Sequence, residues 1–298
     1  MAKEIKLRRG LDINLKGSAN ETKKIPASGE TFAVCPDDFY GFKPKVIVHE
    51  GDEIKVGEPL FVNKQQEELK VVSPVSGKVV RILRGERRKV LSIEMASDGK
   101  FEARCLDVKR PDEMDGAAVK ALLLESGLFA FIKMRPYDIT AIPSDTPKAI
   151  FISAFSKMPL SADFSFVVKG QEQDFLTGIS ALAKMAKVYI GICPEQEGAD
   201  FTKTENAEVT IFNGPNPSGN VGVQINHLLP VNKGEVVWTI GAEEVIFIGR
   251  LFHLGHVDFT RTIALAGSEV EEPCYYEMCV GAPLATILTN LKQKEHIR

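Results

Sequence analysis

Apolar and polar residues alternate with a period of two between positions 46 and 82. The apolar set is Val46, Val48, Ile54, Val56, Leu60 and Val62, then Val71, Val75, Val79 and Ile82. Two glycine-centred corners, Glu50-Gly51-Asp52 and Pro74-Val75-Ser76-Gly77, punctuate it. Alternation between such corners predicts short, half-buried strands joined by tight turns. Residues 32–34, 44–48 and 89–94 read as further strands, the last closed by Ser97-Asp98-Gly99, whereas 16–26 reads as polar and turn-like. The period changes after Pro111. Asp112 or Asp115 is placed to cap a helix that carries Val119, Leu122 and Leu123 and stops at Ser126-Gly127. The stretch 128–143 mixes aromatic, cationic and proline residues without a clean period.

Beyond it the chain alternates. The apolar run 149–154 suits a buried parallel strand. Phe175, Ile179, Leu182 and Met185 fall at helical spacing, and 187–192, 209–212, 236–240 and 245–249 read as strands. This alternation implies a doubly wound sheet. From Thr262 onward the pattern is strand, strand, helix (263–267, 274–281, 284–291). Such a fragment is too small to bury a core alone. It packs on the preceding domain or opens a part of a longer protein. The expectation is therefore a multi-domain α+β chain: a barrel at 1–106, a Rossmann-like α/β domain at 107–260, and a third unit begun at 261–298.

Composition narrows the function classes. The 298 residues are 44% hydrophobic and 26% charged, with a formal net charge of -3. Those values are ordinary for a globular protein and give no electrostatic reason to bind nucleic acid. No apolar run approaches the ~18 residues of a membrane span. The start, MAKEIKLRRG, lacks the apolar stretch of a secretory signal. The five cysteines, Cys35, Cys105, Cys193, Cys274 and Cys279, are odd in number, and only the last two are close, as C-x4-C. Metal and iron–sulfur sites draw on tighter clusters, so reduced structural thiols are expected and no metal site. The histidines are His49, His227, His253, His256 and His296. His253 and His256 form H-x2-H, for which Asp258 is the one nearby third ligand, and hydrogen bonding at a domain join is the expected use. The basic stretch 84–89 (RGERRK) reads as a solvated hairpin tip.

A dinucleotide site needs glycines where the first strand enters its helix. Here that turn is Ser153-Ala154-Phe155-Ser156-Lys157-Met158-Pro159, without glycine. The glycine-rich stretch 214–222 comes later, carries two prolines and matches neither the dinucleotide nor the phosphate-loop pattern. No catalytic residue is assigned. The candidate contact for an apolar, carbonyl-bearing ligand is 129–137: Phe129, Phe131 and Tyr137 offer ring faces, and Lys133 and Arg135 offer donors to a quinone oxygen. A domain linker packed by its aromatics is the other reading of the same residues.

Two resemblances follow from these motifs. Residues 46–82 resemble the biotinyl/lipoyl type of flattened barrel, or barrel-sandwich hybrid. That type carries a swinging cofactor on a hairpin lysine. Counted back from Ser73-Pro74, the carrier position falls near Gln66, and Lys64 lies out of place, so the barrel is expected to serve as structure. Nearly the whole chain resembles the A subunits of the Na+-translocating NADH:quinone oxidoreductases. The residues concerned are Lys6-Leu7-Arg8-Arg9-Gly10-Leu11-Asp12, Val48 with Gly51-Asp52, Ile54, Gly57 and Leu60, and Ser73-Pro74 with Gly77. They continue through Arg135-Pro136-Tyr137-Asp138, Asn213-Gly214-Pro215 on to Gly219 and His227, and Arg261-Thr262. The C subunit of the Rnf complex and the flavin subunit of respiratory complex I share the architecture.

The resemblance implies a third unit that begins a β-grasp, soluble-ligand-binding module, in a family whose members extend beyond residue 298. It implies a translocase component in a redox-driven sodium pump that oxidises NADH and reduces ubiquinone, peripheral on the cytoplasmic face of the bacterial inner membrane. Five other subunits would be its partners and would hold FAD, FMN and Fe-S centres, with ubiquinone the substrate. The flavin-binding acidic residue and glycine loop of the relatives have no counterpart at 153–159, so no cofactor is expected in this chain. An Rnf-type flavin and iron–sulfur carrier and a pure scaffold are the alternatives.

Overall fold

The computed structural model describes residues 2–26 and 29–292. His296 lies outside them, as does the end of the third unit. In chain order the main elements are β1 (Lys3–Lys6), β2 (Asn20–Lys24), β3 (Thr31–Val34), β4 (Pro44–Val46), β5 (Glu53–Ile54), β6 (Pro59–Asn63), β7 (Gln66–Val72), β8 (Gly77–Arg84), β9 (Val90–Ser97) and α1 (Gly116–Ser126). There follow β10 (Lys133–Arg135), β11 (Ile139–Thr140), β12 (Ile150–Ser153), α2 (Phe164–Val167), α3 (Glu172–Met185), β13 (Val188–Ile192) and β14 (Ala207–Asn213). The chain continues with α4 (Val221–Leu228), β15 (Val237–Thr239), α5 (Ala242–Leu254), β16 (Thr260–Leu265), β17 (Cys274–Cys279) and α6 (Ala285–Leu288).

The alternating segment folds as a flattened barrel. One sheet has the order β3-β9-β8-β5 and the other β4-β6-β7. Leu60, Phe61, Leu69, Val75, Val79, Ile93 and Met95 are fully buried between them. The Pro74–Gly77 corner works because Gly77 sits at φ 143°, where a Cβ would strike the Ala96 carbonyl. The hairpin tip differs from the count made on sequence. A register irregularity between Val62 and Asn63 pairs Asn63 with Gln66, so Lys64-Gln65 form the turn and Gln66 is already in the strand.

Helix α1 is capped as its sequence predicts. The Asp115 carboxylate accepts from Ala118 N, and Gly127 closes the helix in the left-handed region (φ 78°). The helix lies against β7 of the barrel.

The central sheet has seven strands in the order β1-β14-β13-β12-β15-β10-β11. The first five are mutually parallel, β10 runs antiparallel to β15, and β11 turns back antiparallel to β10. Side chains alternate across it. Ile150, Ile152, Val188 and Ile190 face one core together with residues of α1, α3 and α5, whereas Phe151, Tyr189 and Val237 pack with Ile225 of α4 on the other. Counting the flattened barrel as one, a third sheet has the order β16-β17-β2.

Three expectations need correction. Residues 245–249 form part of α5, not a strand. A run of Val, Ile, Phe and Ile is buried in either conformation, and the deciding signals lie outside it: Glu243 and Glu244 in the first turn and Gly255 as a left-handed cap. The polar segment before Pro26 contains β2, which borrows its order from β17 by parallel pairing. The N-terminal β1 joins the edge of the central sheet beside β14, so the first 24 residues contribute strands to sheets outside the barrel.

Candidate functional site

Strands β12, β13 and β14 step outward in one direction, and the chain then crosses to place β15 on the other side of β12. The order therefore reverses between β12 and β15. Helix α4 carries that crossing over one face of the sheet, whereas α3 and α5 pack together on the other, and a reversal of strand order is where a crevice opens at the carboxyl ends of the strands. A cleft of about 800 Å³ lies there. Its floor is Ser153 at the end of β12 and Thr239-Ile240-Gly241 at the end of β15. Loops and neighbouring units complete the walls: Phe155 to Met158, Asn216 to Val221, Phe131 and Lys133, Asp38 and Phe39 from the barrel, and Arg261 and Val280 from the third sheet.

Buried amides hold the loops in place. Gln196 donates to the Ala154 carbonyl (2.8 Å). Gln224, almost fully buried, donates to Ser153 Oγ (2.9 Å) and the Ser218 carbonyl (3.2 Å). The Ser153 hydroxyl reaches the Gly219 carbonyl (2.9 Å). Gly219 is required by crowding, because a Cβ there would meet the backbone of Phe155, Ser156 and Lys157 at about 3 Å. The two loops are thus pressed together, and Lys157 is presented to the cleft from a fixed backbone.

Aromatic rings link this wall to the barrel. Phe131 packs edge-on against Phe39 (5.8 Å) and Phe247 (6.0 Å) and beside Phe259 (6.0 Å). Phe39 in turn meets Phe61 of the barrel core (6.1 Å).

On the far wall Arg261 is clamped by two glutamates of α5. Its Nε and Nη2 donate to Glu243 Oε2 (2.9 and 2.5 Å) and Nη2 to Glu244 Oε1 (3.3 Å). Glu243 Oε1 also accepts from Thr262 N (2.6 Å). Burial raises the Glu243 carboxyl above the usual range against the pull of Arg261.

Of the five residues proposed on sequence, Phe131 and Lys133 line this cleft. Phe129 is wholly buried, with its ring edge-on to Trp238 at 5.3 Å. Arg135 pairs with Asp138 (3.3 Å), and Tyr137 is 69% exposed. Strand β10 explains the split, since it delivers Lys133 to the cleft while the turn after Arg135 carries Tyr137 away. Asp38, Lys157 and Glu244 carry no local signal, and Arg261 stands out only as part of the Arg261-Thr262 motif of the resemblance. The reversal of strand order places Lys157 and Glu244 at one crevice, and the packing of the barrel and the third sheet adds Asp38 and Arg261.

The H-x2-H pair does not converge. His253 Nδ1 meets Asp174 (2.5 Å), with Thr177 on Nε2 (3.1 Å), whereas His256 bonds the Leu254 carbonyl (3.1 Å). Asp258 accepts from Thr260 N (2.8 Å). Among the described residues no three His, Cys, Asp or Glu side chains are grouped to hold a metal ion. No described helix is long and apolar enough to cross a membrane.

Two family models match. The NqrA N-terminal barrel-sandwich hybrid domain covers residues 5–98, and the NqrA second alpha/beta domain covers residues 114–257. The chain belongs to the NqrA family. It is 34% identical over 295 residues to the A subunit of the Na(+)-translocating NADH-quinone reductase of Yersinia pestis bv. Antiqua (strain Angola), covering 98% of this chain and 66% of that protein. The corresponding protein of Serratia proteamaculans (strain 568) is 34% identical over 94% of this chain and 64% of its own length. That of Photorhabdus laumondii is 32% identical over 98% and 66%. The chain thus spans about two thirds of the length of these relatives. Among solved structures, an NAD+-reducing [NiFe]-hydrogenase aligns with a TM-score of 0.37 at 16% identity, over 50% of this chain and 33% of its own. That likeness is too slight to inform the function of an NqrA-family chain.

Proposed function

We propose that this chain is a component of a Na+-translocating NADH:quinone reductase and that the cleft between β12 and β15 takes the ring of ubiquinone. Membership of the NqrA family supports the first part. The cleft's lining supports the second. A quinone is a flat neutral ring with two carbonyl acceptors. It needs apolar walls and a few donors. Phe39, Phe131, Phe155 and Ile240 supply the walls, and Lys133, Lys157 and Arg261 the cations. A second cavity, of about 440 Å³, lies between the barrel and β17 and is lined by Phe32, Phe101 and Met278, but no lysine or arginine among the described residues lines it. That difference supports the cleft over the second cavity.

On this reading the chain supplies a binding wall and no redox centre. NADH, the flavins and the iron–sulfur centres belong to the five partner subunits. The protein sits peripherally at the cytoplasmic face of the membrane. Residues 1–106, 107–260 and 261–298 act as its barrel, its α/β domain and the opening of a β-grasp module, with β1 and β2 lent by the first to the sheets of the others. Of the residues first proposed to lie near quinone, Phe131 and Lys133 would touch the ring, while Phe129, Arg135 and Tyr137 would support the strand that presents Lys133. Equilibrium binding of a short-chain ubiquinone to the full-length protein tests this. Saturable binding that weakens in Phe131→Ala and Lys157→Ala is expected. Binding unchanged in both variants would move the quinone elsewhere.

A further inference from the structure

We propose that Glu243, Glu244 and Arg261 set the selectivity of the cleft, admitting a neutral carbonyl-bearing ring and excluding a ligand that carries a phosphate. The inference rests on the cleft's assignment above and adds the class of ligand it rejects.

In an open parallel sheet, the helix that starts at the switch point ordinarily offers its free N–H groups and its positive end to a phosphate. Here that helix is α5, which begins shortly after β15 with Gly241 as its N-cap. The position is already filled. Glu243 and Glu244 occupy the first turn. The Glu244 carboxylate folds back over Gly241 so closely that a Cβ on the glycine would collide with it. Both side chains are largely removed from solvent, at 16% and 19% exposed. The chain's own carboxylates therefore cover the helix end without capping it by a hydrogen bond, and Arg261 is held across them.

The charges around the cleft complete the argument. Lys133, Lys157 and Arg261 face Asp38 and Glu244, and Glu243 stands behind Arg261 at 2.5 Å. Three cations meet three carboxylates, so the site carries no surplus of positive charge. A phosphate monoester, close to a dianion at neutral pH, would arrive against two fixed carboxylates at the one place where the fold would otherwise welcome it. A neutral ring meets no such repulsion. It can accept hydrogen bonds from Arg261, whose Nη1 is not engaged by either glutamate.

Riboflavin and FMN share one ring and differ by a single phosphate, which makes them the probes. Fluorescence titration of the full-length protein is expected to show riboflavin bound at least tenfold more tightly than FMN. In Glu244→Gln, and more so in Glu243→Gln/Glu244→Gln, the preference should shrink about tenfold or reverse. Glu244→Gln is the gentler variant, because Glu244 makes only the 3.3 Å contact to Arg261, whereas Glu243 also holds Thr262. A short-chain quinone is titrated in parallel. An unchanged flavin preference in variants that still bind quinone would overturn the selector and leave the cleft's assignment standing. A wild-type protein that binds none of the neutral rings would overturn the assignment and the selector together.

Discussion

The hairpin tip of the barrel and the cleft at the carboxyl ends of the central strands are the two places where these folds present chemistry, and they are built in opposite ways. The tip is local. Asn63, Lys64, Gln65 and Gln66 are consecutive, Lys64 and Gln65 are exposed, and the nearest ion pair, Lys45 with Glu67 (2.5 Å), is itself largely in solvent. The cleft is convergent. Asp38, Phe131, Lys157, Glu244 and Arg261 come from separate elements and are brought together by the packing of the barrel and the third sheet around the end of the central one. A convergent site is held by the packing that makes the fold, so its residues are coupled to stability. A local tip can change without the fold noticing.

Substitution at each place gives the largest contrast. Phe131→Ala removes a ring that bridges Phe39 on the barrel side to Phe247 and Phe259 on the other. Its loss should cost roughly 2–4 kcal/mol by analogy with large-to-small core changes. A fall in Tm of about 5–10 °C is expected in a thermal melt, together with loss of quinone binding. Lys64→Ala at the hairpin tip should stay within ~0.5 kcal/mol and bind quinone normally. Equal effects at the two sites would erase the distinction.

Lys157→Ala separates binding from packing within the cleft. Its backbone is fixed by the Gly219 contact, so the fold should survive. Losing one charged donor to a carbonyl is worth about 1.4 kcal/mol, a tenfold weaker Kd. A binding isotherm that does not move while Phe131→Ala abolishes binding would reduce the cleft to an apolar slot.

The same contrast explains what can be read from the chain. The barrel's corners, the Asp115 cap and the strands β12 to β15 are written in neighbouring residues, as alternation, caps and apolar runs. Helix α5 escapes the pattern because 245–249 is buried on every side, and burial erases the periodicity that separates helix from strand. The polar strand β2 has no apolar face of its own and owes its order to β17. Phe131 and Lys133 stand out because aromatic and cationic residues are adjacent there. Arg261 does not stand out in that way, since its meaning depends on Glu243, 18 residues away on another element.

Thiol reactivity tests whether the seam beside the cleft is as closed as the tip is open. Burial pushes the Cys279 thiol up to about 12, with Asp258 adding to it, and its Sγ lies 3.4 Å from the Pro74 carbonyl of the barrel. Cys105 is exposed. At pH 8, iodoacetamide should label Cys105 readily and Cys279 only after unfolding, as read by mass spectrometry of digested protein. Prompt labelling of Cys279 would mean that barrel and third sheet separate easily.

The smallest effect is a difference of sign between two carboxylates. On the barrel wall, Arg81 donates to Glu94 (2.7 and 3.0 Å), and this hydrogen-bonded pairing lowers the Glu94 carboxyl below its usual range. Its folded pKa is thus below its unfolded one, near ~4.3. The contribution to stability is present above that value and disappears as pH falls through the folded pKa. In the cleft, burial raises Glu243. Its contribution is present in full below the unfolded pKa and is lost as pH rises through the folded one. Thermal melts from pH 7 to pH 3.5 should therefore show Arg81→Met flattening the acid loss of stability, and more weakly at high salt, because the pair is solvent-screened. Glu243→Gln should steepen the acid loss, because it removes a group that gains from acid. The same direction of change in both variants would mean that the Arg261 clamp, not burial, governs Glu243.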